Sequence, residues 1–350
     1  MRVLVVNAGS SSLKLSVLDG DELVASPADI SDAGPVDAVG HRVVHGGIEF
    51  VEPVLLDDAV VRRLEALADL APLHQPKSLR GIELARRALP DVPAVACFDT
   101  AFHACIPAAA ATYALPREWR KRWPLRRFGF HGLSHAYASR RAAELAGPDA
   151  HRIVTCHLGA GASLAAVRDG VSVDTTMGFT PLDGLVMATR SGSVDPGLIL
   201  WLEEHMGMPP SELASTLEHR SGLLGLSGMS DMKAILEAEA SDDEDARLAV
   251  EVYLHRLRGL IAAMAAALDG LDVLVFTGGV GERSAAIRAR AADGLGFLGV
   301  EVDAQRNEEA RPDAEIGSGF VRTFVIAARE DLEIARGVRS ALAFEDHEHG

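Results

Sequence analysis

At 350 residues, 48% hydrophobic and 24% charged, the chain is long enough for two ordered globular domains and carries no low-complexity tract. Its 34 Lys+Arg against 50 Asp+Glu give a net charge of -16, a long-range field that repels nucleic acid and anionic membrane but leaves room for a local cationic pocket. The apolar start Met1 to Val6 is too short for a signal peptide, and Asp269 and Asp272 interrupt the apolar stretch Leu260 to Phe276, so no membrane span and a cytoplasmic location are expected.

Arg2 to Val6 reads as a strand ending in Asn-Ala-Gly-Ser-Ser-Ser, and alternation at Leu13, Leu15 and Val17 gives a second strand. Asp19-Gly20 signals a hairpin into a third strand at Glu22 to Ala25. The same strand, turn, strand unit returns at Arg152 to Gly170 and overlays the first without a gap at an offset of 150 residues, with Arg2, Gly9, Val17, Asp19 and Gly20 repeated. Two domains of one design follow from that repeat, with a boundary near Gly147 to Ala150. Between the repeats, strands are expected at Ala38 to Val44 and Ala94 to Phe98, and helices at Asp57 to Leu70, at Ser78 to Leu89 and after His131. Beyond them come helices at Pro196 to Met206 and Ser211 to Leu217, then a long one announced by Ser241-Asp242-Asp243-Glu244, which has the form of a capping box. Strands at Val273 to Phe276 and Val321 to Ile326 and a last helix at Glu330 to Leu342 complete an α/β chain, frayed after Ala343. Cys97, Cys105 and Cys156 fit no zinc site or disulfide framework and read as buried small hydrophobes.

Three glycine- or serine-rich turns follow apolar strands: Asn7 to Ser12, His157 to Gly161 and Gly278 to Glu282. Successive N–H groups in such turns can hold phosphate oxygens. One alone is as well explained by a tight turn, whereas three in one chain point to a nucleotide. Arg42 and Arg190 sit in polar-rich segments and offer the two-pronged fork that matches carboxylate or phosphate; the alternative for each is a surface ion pair. Asp99 ends a strand, where α/β proteins place ligand chemistry, though it suits a helix cap equally well. His131 could cap a helix or touch an anion, and Glu330 suits a helix dipole without any further role.

Taken together, Asn7 through Lys14, the Arg42 block, Ala71-Pro72-Leu73-His74, the Asp99 and His131 blocks, His157-Leu158-Gly159 and Pro181 through Gly197 resemble the acetate kinase family, from Arg2 to about Arg336. The resemblance implies an α/β fold of two duplicated ribonuclease-H-like domains, the actin-like ATPase superfold, with a cleft between them. Residues 1–149, completed by a last helix at 331–350, would bind the acyl and phosphoryl groups, and residues 150–330 the nucleotide. The implied reaction is reversible phosphoryl transfer from ATP to acetate, giving acetyl phosphate and ADP by direct in-line attack with Mg²⁺, or Mn²⁺ in its place. A homodimer is implied as well.

By the same resemblance Asn7 and Glu330 would position the metal, Arg42 and Arg190 would hold the carboxylate and the phosphoryl group, His131 would steady that group, and Asp99 would organise acid and metal. Ser12, Lys14, His157, Gly159, Gly161, Asp231, Lys233, Gly278, Gly279, Gly281, Glu282 and Arg283 would fall on the nucleotide and phosphate side. Val44, Leu73, Phe130 and Pro181 would line the pocket for the acid's methyl group. A methylene changes binding by only ~1–3 kcal/mol, so propionate and butyrate are alternative acids.

The chain departs from the family mainly on the nucleotide side. Ala160 stands for Asn, Lys233 for Arg in an Asp-Phe-Arg run and Arg283 for Asn, while Gln75-Pro76-Lys77 replaces Asn-Pro-Pro. Lysine stacks on a purine less well than arginine, so GTP and pyrophosphate are alternative donors. A silent nucleotide-binding module is the competing class, and the full set Arg42, Asp99, His131 and Arg190 speaks against it.

Overall fold

Strands that are apolar on both faces must be covered on both sides, and this requirement builds each half of the chain. The computed structural model describes residues 1–8, 13–68 and 75–348, the last five by backbone alone. The chain divides into two compact units, Met1–Ala104 with Phe130–Tyr137 and Arg329–Gly350, and Cys105–Gly129 with Ala138–Ala328.

The first unit holds β1 (Arg2–Ala8), β2 (Leu13–Asp19), β3 (Glu22–Ala25), β4 (Ala38–Val43), β5 (Val54–Leu55) and β6 (Ala94–Phe98). They lie in the order β3-β2-β1-β4-β6-β5, with β1, β4 and β6 parallel and the others antiparallel to their neighbours. Alternate side chains of the parallel strands serve two cores. Leu4, Val6, Val39, Val43, Ala96 and Phe98 pack with Val60 and Leu64 of the helix Asp58–Ala66 and with Ile82 and Ala85 of the helix Gln75–Ala88. Val3, Val5, Ala38, Val95 and Cys97 pack with Ile334, Ala335 and Val338 of the helix Glu330–Glu348. Each such aliphatic side chain contributes roughly 1.5–3 kcal/mol by leaving water. That last helix lies close against the sheet, since a Cβ on Gly40 would come within 2.6 Å of Ile334 Cγ2.

The second unit repeats the plan with β7 (Arg152–Leu158), β8 (Ala162–Arg168), β9 (Val171–Thr175), β10 (Val273–Thr277), β11 (Ala314–Glu315) and β12 (Arg322–Val325). The order is β9-β8-β7-β10-β12-β11, the order of the first sheet, again with the three inner strands parallel. The helix Glu244–Ala267 covers β7, β8 and β9. The chain is therefore a duplicated α/β protein of ribonuclease-H type.

The repeat needs one correction. β1 and β7 correspond at an offset of 150, but Arg2 faces Asp19 on β2 whereas Arg152 faces Arg168 on β8. The second strands therefore correspond at 149, because the first connection is one residue longer. The irregularity toward the third strand, between Val17 and Leu18 in one unit and Ala166 and Val167 in the other, obeys the same shift. The repeated Val17, Asp19 and Gly20 are thus coincidences of the gapless overlay.

Two further expectations change. The long helix is capped by Asp243, which accepts the Ala246 N–H at 2.8 Å, while the Ser241 hydroxyl donates back to the Glu237 carbonyl. The last helix continues beyond Leu342 to Glu348. Among the described residues no helix is long and apolar enough to cross a membrane.

His41, His45 and His103 are buried in the first unit. Burial, with a smaller push from Arg86, lowers the His41 pKa to about 3, and burial lowers those of His45 and His103 to about 4. In the unfolded chain the same rings titrate near ~6.5, so below that pH the unfolded state binds the additional protons. Stability is accordingly full above ~6.5 and falls as pH drops toward about 4, by up to ~1.4 kcal/mol per pH unit for each histidine. Urea unfolding across this window should show a midpoint that falls with pH, and His41→Gln should flatten the slope. A midpoint constant from pH 7 to pH 5 would contradict the neutral assignment.

Candidate active site

The carboxyl ends of β1, β4 and β6 bring charged side chains together in the first unit. His41 and Val43 of β4 are buried, and Arg42 between them is directed along the strand ends, with its side chain 13% exposed. The Asp99 N–H donates to the Val43 carbonyl at 3.0 Å, extending the β4–β6 ladder by one bond and bringing its carboxylate to Arg42. Arg42 Nε donates to Asp99 Oδ1 at 3.0 Å and Nη2 to Oδ2 at 2.6 Å, a two-pronged pair whose acid is 1% exposed. Asp99 is thus no helix cap: Thr100 precedes the turn Ala101–His103, and its side chain makes no cap bond.

The other edge of the guanidinium meets β1 and the last helix. Arg42 Nη1 donates to Asn7 Oδ1 at 3.3 Å and lies 3.8 Å from Glu330 Oε2, which accepts from Asn7 Nδ2 at 2.8 Å. Burial opposes the charge on Arg42, but Asp99 and Glu330 outweigh it and hold the guanidinium well above its ordinary pKa. Burial raises the Asp99 pKa, opposed by Arg42 and by the His131 backbone N–H. His131 joins this cluster through its backbone at φ 56, a left-handed conformation that few non-glycine residues adopt. Gly132 N–H donates to the Asp99 carbonyl at 2.9 Å, so Asp99 fixes this bend with both its carboxylate and its peptide.

Asn7 and Glu330 offer an amide and a carboxylate oxygen side by side. Such a set suits a hard cation that keeps most of its ligands as water and phosphate, as Mg²⁺ does. Among the described residues no group of three or more His, Cys, Asp or Glu could cage an ion.

Val44 and Phe130 are buried in the same unit, and the Phe130 ring meets the His45 ring edge-on at 5.5 Å. The loop after β4 is pinned by the side chains of Thr100 and Gln75. Thr100 Oγ1 accepts the Gly46 N–H at 3.0 Å, and the Gln75 amide bonds both the N–H and the carbonyl of His45. Ser12 and Leu73 lie outside the described residues. Lys14 is exposed on β2, opposite Asn7.

Arg190 and Pro181 belong to the second unit, where Arg190 Nη1 donates to the Pro181 carbonyl at 3.1 Å. Burial lowers the Arg190 pKa, with Glu218 acting the other way. The Arg190 segment touches the first turn of this unit, since the Ala188 N–H donates to the Ala160 carbonyl at 3.1 Å and Gly159 N–H to Gly161 at 3.0 Å. The second turn is its neighbour across the sheet, because Thr277 pairs with His157 and Gly278, at φ 78, abuts Leu158.

Glu282 is engaged by the backbone, its Oε1 accepting from Gly278 N–H at 3.1 Å and Ala328 N–H at 3.0 Å. Arg283 folds back over Gly279 and donates to its carbonyl at 3.1 Å. Gly281 is buried beneath this turn, within 3.7 Å of the Cys156 carbonyl by an added Cβ. Asp231 caps the helix Met232–Glu239, and Lys233 is 85% exposed beside Glu237. Neither the caps nor the backbone bonds of Glu282 were legible as such, since a carboxylate near glycines fits several roles.

The Acetokinase family model matches residues 21–336. An acetate kinase of Microcystis aeruginosa is 49% identical over 335 residues, covering 94% of this chain and 82% of that protein. One of Thermotoga maritima is 42% identical and covers 97% of this chain and 98% of its own length. That alignment takes 400 positions, so at least 50 of them have no counterpart in this 350-residue chain. A solved acetate kinase of Porphyromonas gingivalis and a propionate kinase of Francisella tularensis each match with a TM-score of 0.90 at 34% identity. They cover 97% and 96% of this chain and 99% and 98% of theirs, respectively. With the family model spanning nearly the whole chain and relatives this similar along their full length, the chain belongs to the acetokinase family.

Proposed function

We propose that this chain is a cytoplasmic, homodimeric acetate kinase that transfers the terminal phosphoryl group of ATP to acetate, giving acetyl phosphate and ADP. The observation that carries the reading is the Arg42–Asp99 pair beside Asn7 and Glu330, a fixed cation at strand ends next to oxygen ligands suited to Mg²⁺. In this reading residues 1–149 with the last helix 331–350 bind the acid and the phosphoryl group, and residues 150–330 bind the nucleotide.

Phosphoryl transfer asks little covalent work of a protein, and alignment and neutralisation of the oxygens supply the acceleration. Mg²⁺, or Mn²⁺ in its place, would be held by Asn7 and Glu330 and neutralise phosphate oxygens of the bound nucleotide. Asp99 orients the plane of Arg42, so that its donors meet carboxylate or phosphoryl oxygens without a search through rotamers. Arg190, braced by the Pro181 carbonyl, supplies a second charge, and His131 steadies the group in flight. A carboxylate oxygen of acetate attacks phosphorus in line, the bond to the bridging oxygen breaks, and ADP leaves with that electron pair, with no phospho-enzyme. The reading assigns Val44, Leu73, Phe130 and Pro181 to the methyl group of the acid, and Ser12, Lys14 and the turns His157–Gly161 and Gly278–Arg283 to the donor.

Three outcomes test this reading. Acetyl phosphate formation, trapped as the hydroxamate in parallel assays with ATP, GTP and pyrophosphate, should be fastest with ATP; turnover hundreds of times faster with another donor overturns the ATP assignment. Arg190→Ala should lower kcat by about 10²–10³ while melting stays near that of the unsubstituted protein. Arg42→Ala should lose activity and also about 3 kcal/mol of stability, since it leaves Asp99 buried without its partner. Near-normal turnover in either variant removes that arginine from the mechanism.

The dimer is supported by the helix Pro196–Met206, which buries none of its residues while exposing Leu198, Leu200, Trp201 and Met206. Sedimentation should give twice the chain mass, and Leu200→Glu with Trp201→Glu should give the monomer. A monomer before substitution refutes the dimer.

A further inference from the structure

Gln75 is completely buried, yet it is a polar side chain at the start of the helix Gln75–Ala88. Its amide is spent on three backbone groups. Nε2 donates to the His45 carbonyl at 3.2 Å and to the Leu64 carbonyl at 3.3 Å, and Oε1 accepts the His45 N–H at 3.3 Å. The Leu64 carbonyl lies in the last turn of the helix Asp58–Ala66 and accepts the capping Leu67 N–H at 3.2 Å as well as the Gln75 amide. One amide therefore ties the end of that helix to both peptide groups of His45, the residue after Val44.

His45 is itself fixed in one state. Nδ1 accepts the Gly47 N–H at 2.9 Å, which makes the neutral ring the Nε2–H tautomer, and its ring packs edge-on against Phe130. Val44 and Phe130 thus take their positions from a segment whose backbone is clamped by Gln75 on one side and by Thr100 on the other. An asparagine at this position would keep the amide but place it one C–C bond, roughly 1.5 Å, nearer its own backbone.

We propose that Gln75 is a positioning residue that sets the depth of the acid pocket through His45, and with it the discrimination between acetate and longer carboxylic acids. The inference rests on the acetate kinase reading. A buried amide that bonds both faces of one residue transmits its own length to that residue, because the interior is packed too tightly to absorb the difference elsewhere. Withdrawing the amide by one methylene draws the Val44–His45 wall back and admits an additional methyl group. The discrimination at stake is that of one methylene, tenfold or somewhat more.

The test compares kcat/KM for acetate, propionate and butyrate with ATP and Mg²⁺ in the unsubstituted enzyme, Gln75→Asn and Gln75→Ala, beside thermal unfolding of each. Gln75→Asn should raise the propionate to acetate ratio about fivefold, through a rise in the acetate KM with kcat kept within about twofold. Gln75→Ala should raise the ratio about tenfold and also melt lower. A Gln75→Ala chain that does not fold leaves the decision to Gln75→Asn. A ratio within twofold of the unsubstituted value in Gln75→Asn, whatever its melting temperature, overturns the proposal while the acetate kinase reading stands. No acyl phosphate from any acid in the unsubstituted enzyme overturns both.

Discussion

The cluster at the strand ends of the first unit depends on one buried ion pair. Removing two charges from water costs several kcal/mol per ion, so a pair such as Arg42–Asp99 persists only with good geometry and further bonds to the remaining donors and acceptors. Both conditions are met: two prongs join the carboxylate, Asn7 takes the free edge of the guanidinium, and the His131 N–H and Gly132 N–H take up what remains of Asp99. What such a pair contributes is less stability than direction. The charge on Arg42 has one orientation before any ligand arrives, and the left-handed bend at His131 is held by the same aspartate.

The duplicated sheets show how one lattice serves two chemistries. Asn7 on β1 corresponds to His157 on β7, and the pairing of β1 with β4 and of β7 with β10 makes Arg42 the counterpart of Thr277. At the same corner one unit carries a guanidinium fixed by a buried acid, and the other carries a hydroxyl followed by Gly278 at φ 78. In the proposed reaction the first solution would bring charge to a small ligand, and the second would leave room for a phosphate chain to come close to the backbone.

Much of the scaffold is legible in the sequence because apolar runs and breakers state it directly. The strand Ala94–Phe98 and the helix Pro196–Met206 appear at their expected limits, the first buried throughout and the second started by Asp195 ahead of a proline. The edge strands Val54–Leu55 and Ala314–Glu315 are too short to have a period, and nothing local announces them. The site divides the same way. Asn7, Arg42, Asp99 and Glu330 stand out one by one as residue types in a pattern, but a hydrogen bond between positions 57 residues apart is a property of strand order, which residue types do not encode. Gln75 stands out only as a departure from the family pattern, since a glutamine before a proline gives no sign that it will be buried and spent on three peptide groups.

The substitutions on the nucleotide side follow from this division of labour. The glycines that shape the two turns, Gly159, Gly161, Gly278, Gly279 and Gly281, all remain. Ala160 removes an amide yet leaves its carbonyl bonded to Ala188. Lys233 stands in solvent beside Glu237, and Arg283 places its guanidinium over Gly279, so one position has exchanged one cation for another and a second position has gained one. In the proposed reading the glycine turns would hold the phosphates and Lys233 would face the base, so Ala160 and Arg283 bear on the first and Lys233 on the second.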